Sequence, residues 1–217
     1  MAFASIVLLG AFLVIFSLRL YRHNNQFRSD IKWNLFAVTA FGADHKLLLL
    51  GDSRIESLTC AQDIVGWRVL NLGVSGIGSE GVATYVAPRL HNLVSFDAIV
   101  LWVGVNDIAR KWQATDVASR VTSLLQQLKR ARARIGVIEQ IYILNRAQDP
   151  EIDRANRELT ALNEMLARRV DPNRISILKP FGTMPIDSFS KLYSDNLHLN
   201  EQGNKVLCEG ISRWLIE

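Results

Sequence analysis

The chain has 217 residues, 49% of them hydrophobic and 21% charged, with a formal net charge of +4. That length and apolar content suit one domain around one core, and they exclude a disordered chain, a collagen-like repeat and a small disulfide scaffold. The positive charge is modest, and its main cluster, Lys129, Arg130, Arg132 and Arg134, falls at the end of a helical pattern. Cations favour that end of a helix. Contact with anionic lipid is the alternative, and nucleic-acid binding finds no support.

Residues 2–18, AFASIVLLGAFLVIFSL, form an uncharged apolar run followed by Arg19, Tyr21, Arg22 and His23. As a helix this run reaches roughly 26 Å, near the lower limit for crossing a bilayer. A cleaved signal peptide wants positive charge before the run and a small-x-small site after it. No Lys or Arg precedes the run here, and Ser17-Leu18-Arg19 is a poor cleavage site. The expectation is a retained single-pass transmembrane anchor over residues 1–23. Arg19, Arg22, Arg28 and Lys32 all follow it, so the positive-inside rule leans towards a cytoplasmic domain. Residues 24–45 read as a connecting segment, with Trp33, Leu35, Phe36, Val38 and Phe41 available to pack on the domain or the membrane surface.

From residue 46 to the C-terminus the chain alternates between apolar strands and amphipathic helices. Strand candidates are 47–50, 69–72, 98–103, 135–143 and 175–178. Helical patterns run through 55–64, 81–93, 117–128, 152–166 and 201–216. Strands alternating with helices imply right-handed crossovers and a parallel sheet covered on both faces. The expected fold is a three-layer α/β/α domain of about five parallel strands.

Four short stretches fall where this architecture brings chain to the ligand edge of the sheet. They are Gly51-Asp52-Ser53, Asn71-Leu72-Gly73-Val74-Ser75-Gly76, Gly104-Val105-Asn106-Asp107 and Asp195-Asn196-Leu197-His198. Each alone is weak, since Asp and Ser are ordinary cap residues. In this order and at these positions they are specific together.

On these blocks the chain resembles the SGNH hydrolases, also called the GDSL esterase/lipase family, from residue 46 to the end. The resemblance implies a flavodoxin-like fold and hydrolysis of esters or related acyl groups. It makes Ser53 the nucleophile and Asp195 and His198 the rest of a triad. It makes the Gly76 backbone and the Asn106 side chain oxyanion-hole donors. Arg54 stands where the family's name has leucine, a departure that touches substrate preference more than mechanism.

The chemistry of the residues agrees. A serine hydroxyl needs a base, imidazole has a suitable pKa, and an acid three residues before His198 can fix its tautomer. Developing charge on an acyl oxygen needs fixed N–H donors, for which the Ser53 and Gly76 backbones and the Asn106 amide are candidates. Asp52 and Asp107 are expected to hydrogen-bond the loops around the site, and Ser75 and Ser79 to be loop residues. The elbow G-x-S-x-G does not occur.

The run Gly76-Ile77-Gly78-Ser79-Glu80-Gly81 spells a dinucleotide fingerprint, but it follows the second strand. Its nearest acid, Asp97, opens the next strand at the wrong end.

The expected function is therefore a membrane-anchored serine hydrolase that cleaves, or O-deacylates, a carboxylic ester. Two alternatives remain: acyl transfer to a sugar or lipid alcohol, and an inactive anchored binding module. No metal or organic cofactor is expected, and the oligomeric state stays open. So does the pairing of Cys60 with Cys208, which fit a disulfide in an oxidising compartment or two buried thiols equally well. Phe181, Met184, Ile186, Phe189 and Leu192 suit an acyl chain and ordinary packing alike.

Overall fold

The computed structural model describes residues 32–34, 43–60, 64–86, 89, 95–182, 184 and 186–217. The chain divides into a unit over Met1–Phe41 and one over Gly42–Glu217. In the first, a helical turn at 32–34 is described, and the expected anchor at residues 2–18 lies outside the described residues. Among the described residues no helix is long and apolar enough to cross a membrane.

The second unit is the three-layer α/β/α domain. Its strands are β1 (Lys46–Gly51), β2 (Arg68–Gly73), β3 (Ala98–Trp102), β4 (Arg134–Ile138) and β5 (Ile175–Leu178). All pair in parallel in the order β2-β1-β3-β4-β5. This is the flavodoxin-like order, whose winding reverses between β1 and β3 and opens a crevice at the carboxyl ends of those strands. Leu47 to Leu50 are at most 1% exposed, as a central strand covered on both faces requires. Leu47 and Leu49 pack with Trp102, Leu207, Ile211 and Trp214 in one core cluster. Leu48 and Leu50 point to the opposite face by the alternation of a strand.

The helices are α1 (Ser53–Glu56), α2 (Ser79–Val86), α3 (Val105–Ala109), α4 (Ala114–Leu128), α5 (Pro150–Arg169), α6 (Ile186–Ser190) and α7 (Glu201–Ile216). Two of the long ones, α5 and α7, start where the sequence signals it. Asp149 caps α5 by accepting the Glu151 N–H, with Pro150 in the first turn and Arg168 and Arg169 in the last. Asn200 caps α7 by accepting the Gly203 N–H.

Two expectations change. Residues 61–63 of the helix expected through 55–64 lie outside the described residues, and the part described is one turn, Ser53–Glu56, which ends where Asn71 Nδ2 donates to the Ile55 carbonyl at 2.6 Å. That carbonyl would otherwise carry the helix onward. The strand expected over 135–143 ends at Ile138. Beyond it Asn163 Oδ1 and Asn156 Oδ1 on α5 accept the Gln140 and Ile143 N–H groups at 2.7 and 2.8 Å, replacing the sheet ladder. The short helices α3 and α6 carry no periodicity long enough to read.

Candidate active site

Ser53 opens α1 one residue after the buried Asp52, at the carboxyl end of β1. The turn is tight because Gly73, at the end of β2, lets α1 lie directly on it. A Cβ there would come within 2.1 Å of the Glu56 nitrogen. The hydroxyl therefore sits at the topological switch point.

His198 and Asp195 come from a closed loop before α7. Tyr193 and Leu199 bridge antiparallel, and Ser194 donates N–H and O–H to the His198 carbonyl at 2.9 and 3.1 Å. Leu144 N–H ties the loop to strand-side chain through the Asn196 carbonyl at 2.8 Å. Tyr193 O–H donates to the Tyr142 carbonyl. Burial pushes that phenol's pKa up, more than the nearby Arg54 charge lowers it, so it remains a donor.

Ser53 Oγ lies 2.9 Å from His198 Nε2, and His198 Nδ1 lies 2.8 Å from Asp195 Oδ2. Asp195 Oδ1 accepts the backbone N–H groups of Leu197 and His198 at 2.6 and 2.7 Å. Burial pushes the Asp195 carboxyl up, but those N–H groups and the His198 ring outweigh it and bring its pKa from 3.8 to about 2. A charged Asp195 accepts a hydrogen bond from Nδ1–H, which keeps the proton on that nitrogen and leaves Nε2 as an acceptor facing the serine hydroxyl.

The donor side forms around the loop after β2. Asn106, on α3, gives one amide N–H to the Ile77 carbonyl at 2.9 Å and keeps the other. The Ser53 and Gly76 backbone N–H groups meet no acceptor among the described residues. Two side chains that the sequence did not single out also reach this loop, Glu56 through Ser75 and Arg110 through the Gly76 carbonyl. Their only signal is spacing, three residues after Ser53 and four after Asn106.

Asp52 and Asp107 have the loop-bonding roles expected of them. Asp107 accepts the Ser79 N–H and O–H at 2.9 and 3.1 Å, fixing the start of α2. Asp52 accepts the Arg54 backbone N–H at 3.0 Å and the Arg54 guanidinium at 3.0 and 2.8 Å.

Arg54 itself corrects the sequence reading. It is 1% exposed, also bonds Gln140 Oε1 at 2.9 Å, and stacks 4.1 Å from the Trp102 ring centre. Its side chain belongs to the interior and does not face substrate.

Cys60 and Cys208 form a disulfide. Among the described residues no three His, Cys, Asp or Glu side chains converge as metal ligands. Asp97 accepts the Lys46 N–H at 2.8 Å at the amino edge of the sheet, away from the Gly76–Gly81 run.

A groove of about 460 Å³ is lined by Gly76, Asp107, Arg110 and Trp112 among others. A separate cavity of about 110 Å³, beyond the ends of β4 and β5, is lined by Tyr142, Phe181, Met184 and Phe189. Leu192 does not line that cavity, though it shares a core cluster with Phe181 and Phe189.

A Ser–His–Asp relay at the switch point of a flavodoxin-like sheet places the chain in the class of α/β/α serine hydrolases. Residues 49–206 match the GDSL-like lipase/acylhydrolase family, and the chain belongs to it. No curated protein matches the chain. Among solved structures it is similar to a lipolytic G-D-S-L protein from Veillonella parvula, with TM-score 0.66, 17% identity and coverage of 78% of this chain and 97% of that one. It is also similar to a lipase/acylhydrolase from Enterococcus faecalis, with TM-score 0.62, 18% identity and coverage of 79% and 95%. An acetylxylan esterase from Geobacillus stearothermophilus has TM-score 0.59, 17% identity and coverage of 79% and 94%. At these identities the likeness is one of fold.

Proposed function

We propose that the protein hydrolyses a carboxylic ester through an acyl-enzyme on Ser53. The observation that carries this reading is the unbroken relay from Ser53 Oγ through His198 to Asp195, at 2.9 and 2.8 Å. His198 Nε2 takes the hydroxyl proton as Oγ attacks the carbonyl carbon. The carbonyl oxygen becomes an oxyanion held by the Ser53 and Gly76 N–H groups and the free Asn106 N–H. The proton then passes from His198 to the departing alcohol oxygen, the C–O bond breaks, and the acyl group stays on Ser53. Water, deprotonated by the same nitrogen, releases the acid and restores the serine.

Esters of small alcohols or of sugars fit the reading. The site is open to solvent, with the Asp195 and His198 side chains 56% and 36% exposed, so the alcohol part of such an ester can reach it. The apolar run at residues 2–18 supports a membrane anchor. The Cys60–Cys208 disulfide supports a domain on the oxidising side of that membrane, against the lean of Arg19, Arg22, Arg28 and Lys32.

The test is hydrolysis of p-nitrophenyl acetate, butyrate and octanoate by the full chain, Ser53→Ala and His198→Ala. Both variants are expected to lose about 10⁴-fold or more in kcat. Equal rates in wild type and variants would sink the Ser53 assignment.

A further inference from the structure

Ser53 and Asn106 sit on helices, but the Gly76 donor sits on a turn with little packing to hold it. Ser75 and Gly76 are both exposed, and the space beside Gly76 is empty to 4 Å. The turn Val74-Ser75-Gly76-Ile77 is closed by the Ile77 N–H on the Val74 carbonyl at 3.3 Å. Gly76 has φ +71°, in the range that a type II turn requires of its third residue. A type I turn over the same residues differs by a rotation of roughly 150–170° of the central peptide. Here that peptide joins Ser75 to Gly76, and its N–H is the Gly76 donor. Glycine tolerates both forms, so something else must choose the one that aims this N–H at the site.

We propose that Glu56 and Arg110 are positioning residues that lock this turn in its type II form, an inference that rests on Gly76 being an oxyanion donor. Glu56 Oε2 accepts the Ser75 N–H at 2.8 Å and the Ser75 O–H at 2.5 Å. Arg110 Nη2 donates to the Gly76 carbonyl at 2.6 Å. These charge-assisted bonds hold the peptide groups on either side of the central one, which cannot flip without straining or breaking one of them. Each tie comes from an element that already carries another reacting group. Glu56 ends α1, which Ser53 begins, and Arg110 follows α3, which carries Asn106. Asn106 Nδ2 holds the next carbonyl, that of Ile77, at 2.9 Å. The three donors thus share one frame, so a displacement of one is resisted by the others.

The test compares the full chain with Glu56→Ala, Arg110→Ala, the double variant and Arg110→Lys on p-nitrophenyl butyrate. Each alanine variant is expected to lose about 10- to 100-fold in kcat with KM within about threefold, the signature of a misplaced transition-state donor. The double variant is expected to lose less than the product of the single losses, because both residues hold one peptide. Arg110→Lys is expected to recover part of the rate. Wild-type kcat in the alanine variants, a change confined to KM, or a loss that follows a fall in Tm would overturn the proposal. If the wild type itself neither turns over ester nor takes a fluorophosphonate, the hydrolase reading fails separately. The lock is then read by ¹⁵N relaxation dispersion at Gly76, with exchange expected in Arg110→Ala and not in wild type. Identical profiles in the two proteins would overturn it.

Discussion

At Asp195 Oδ1 two backbone N–H groups converge from its own loop, while Oδ2 faces the His198 ring. The carboxyl pKa falls from 3.8 to about 2. A carboxyl held lower in the folded than in the unfolded chain contributes stability that is fully present above the unfolded value. That contribution is lost as pH falls through the folded value. The Tm gap between wild type and Asp195→Asn is therefore expected to hold steady from about pH 5 to 8 and to close between about pH 4 and pH 2. A gap unchanged down to that limit would contradict the wiring of Asp195. The meeting of Ser53, His198 and Asp195, and the place of Asn106 beside the loop after β2, were legible because each residue sits in a short motif at a strand or helix end. Arg54 was not, since its burial depends on Gln140 and Trp102, residues far along the chain that only the folded sheet brings to it. Glu56 and Arg110 were silent for the same reason, as they bond to a loop of another block.

At the level of elements, the strands were legible because burial on both faces leaves unbroken apolar runs, as in Leu47 to Leu50. Their ends were less so. Asn156 and Asn163 on α5 capture the chain after Ile138, and no pattern in the strand itself announces that capture. The disulfide likewise needed the structure, because two cysteines 148 residues apart pair only once α7 lies beside the segment after α1. This bond links the stretch that carries Ser53 to the helix that follows His198. By closing so long a loop it is expected to stabilise the fold by about 2–5 kcal/mol. Urea unfolding of wild type in dithiothreitol should then match that of the Cys60→Ser/Cys208→Ser variant, both less stable than the oxidised protein. Identical midpoints with and without reductant would contradict that contribution.

On the scale of the whole molecule, alternation of strand and helix from residue 46 onward was enough to read the α/β/α architecture, whereas the strand order β2-β1-β3-β4-β5 needed the structure, because right-handed crossovers set the face of each helix and not the order of the strands. That order puts the winding reversal beside β1, so the site lies where β1 ends and the chain turns into α1. The remaining blocks arrive at the same edge because each follows a strand or precedes a helix there. The central claim is that this convergence makes Ser53, and no other serine, a nucleophile. The most direct measurement is intact-mass and peptide mapping after treatment of the full chain with a fluorophosphonate. A single adduct on Ser53, absent from Ser53→Ala and strongly slowed in His198→Ala, is the expected result. An adduct on another serine, or equal labelling of wild type and Ser53→Ala, would contradict the assignment.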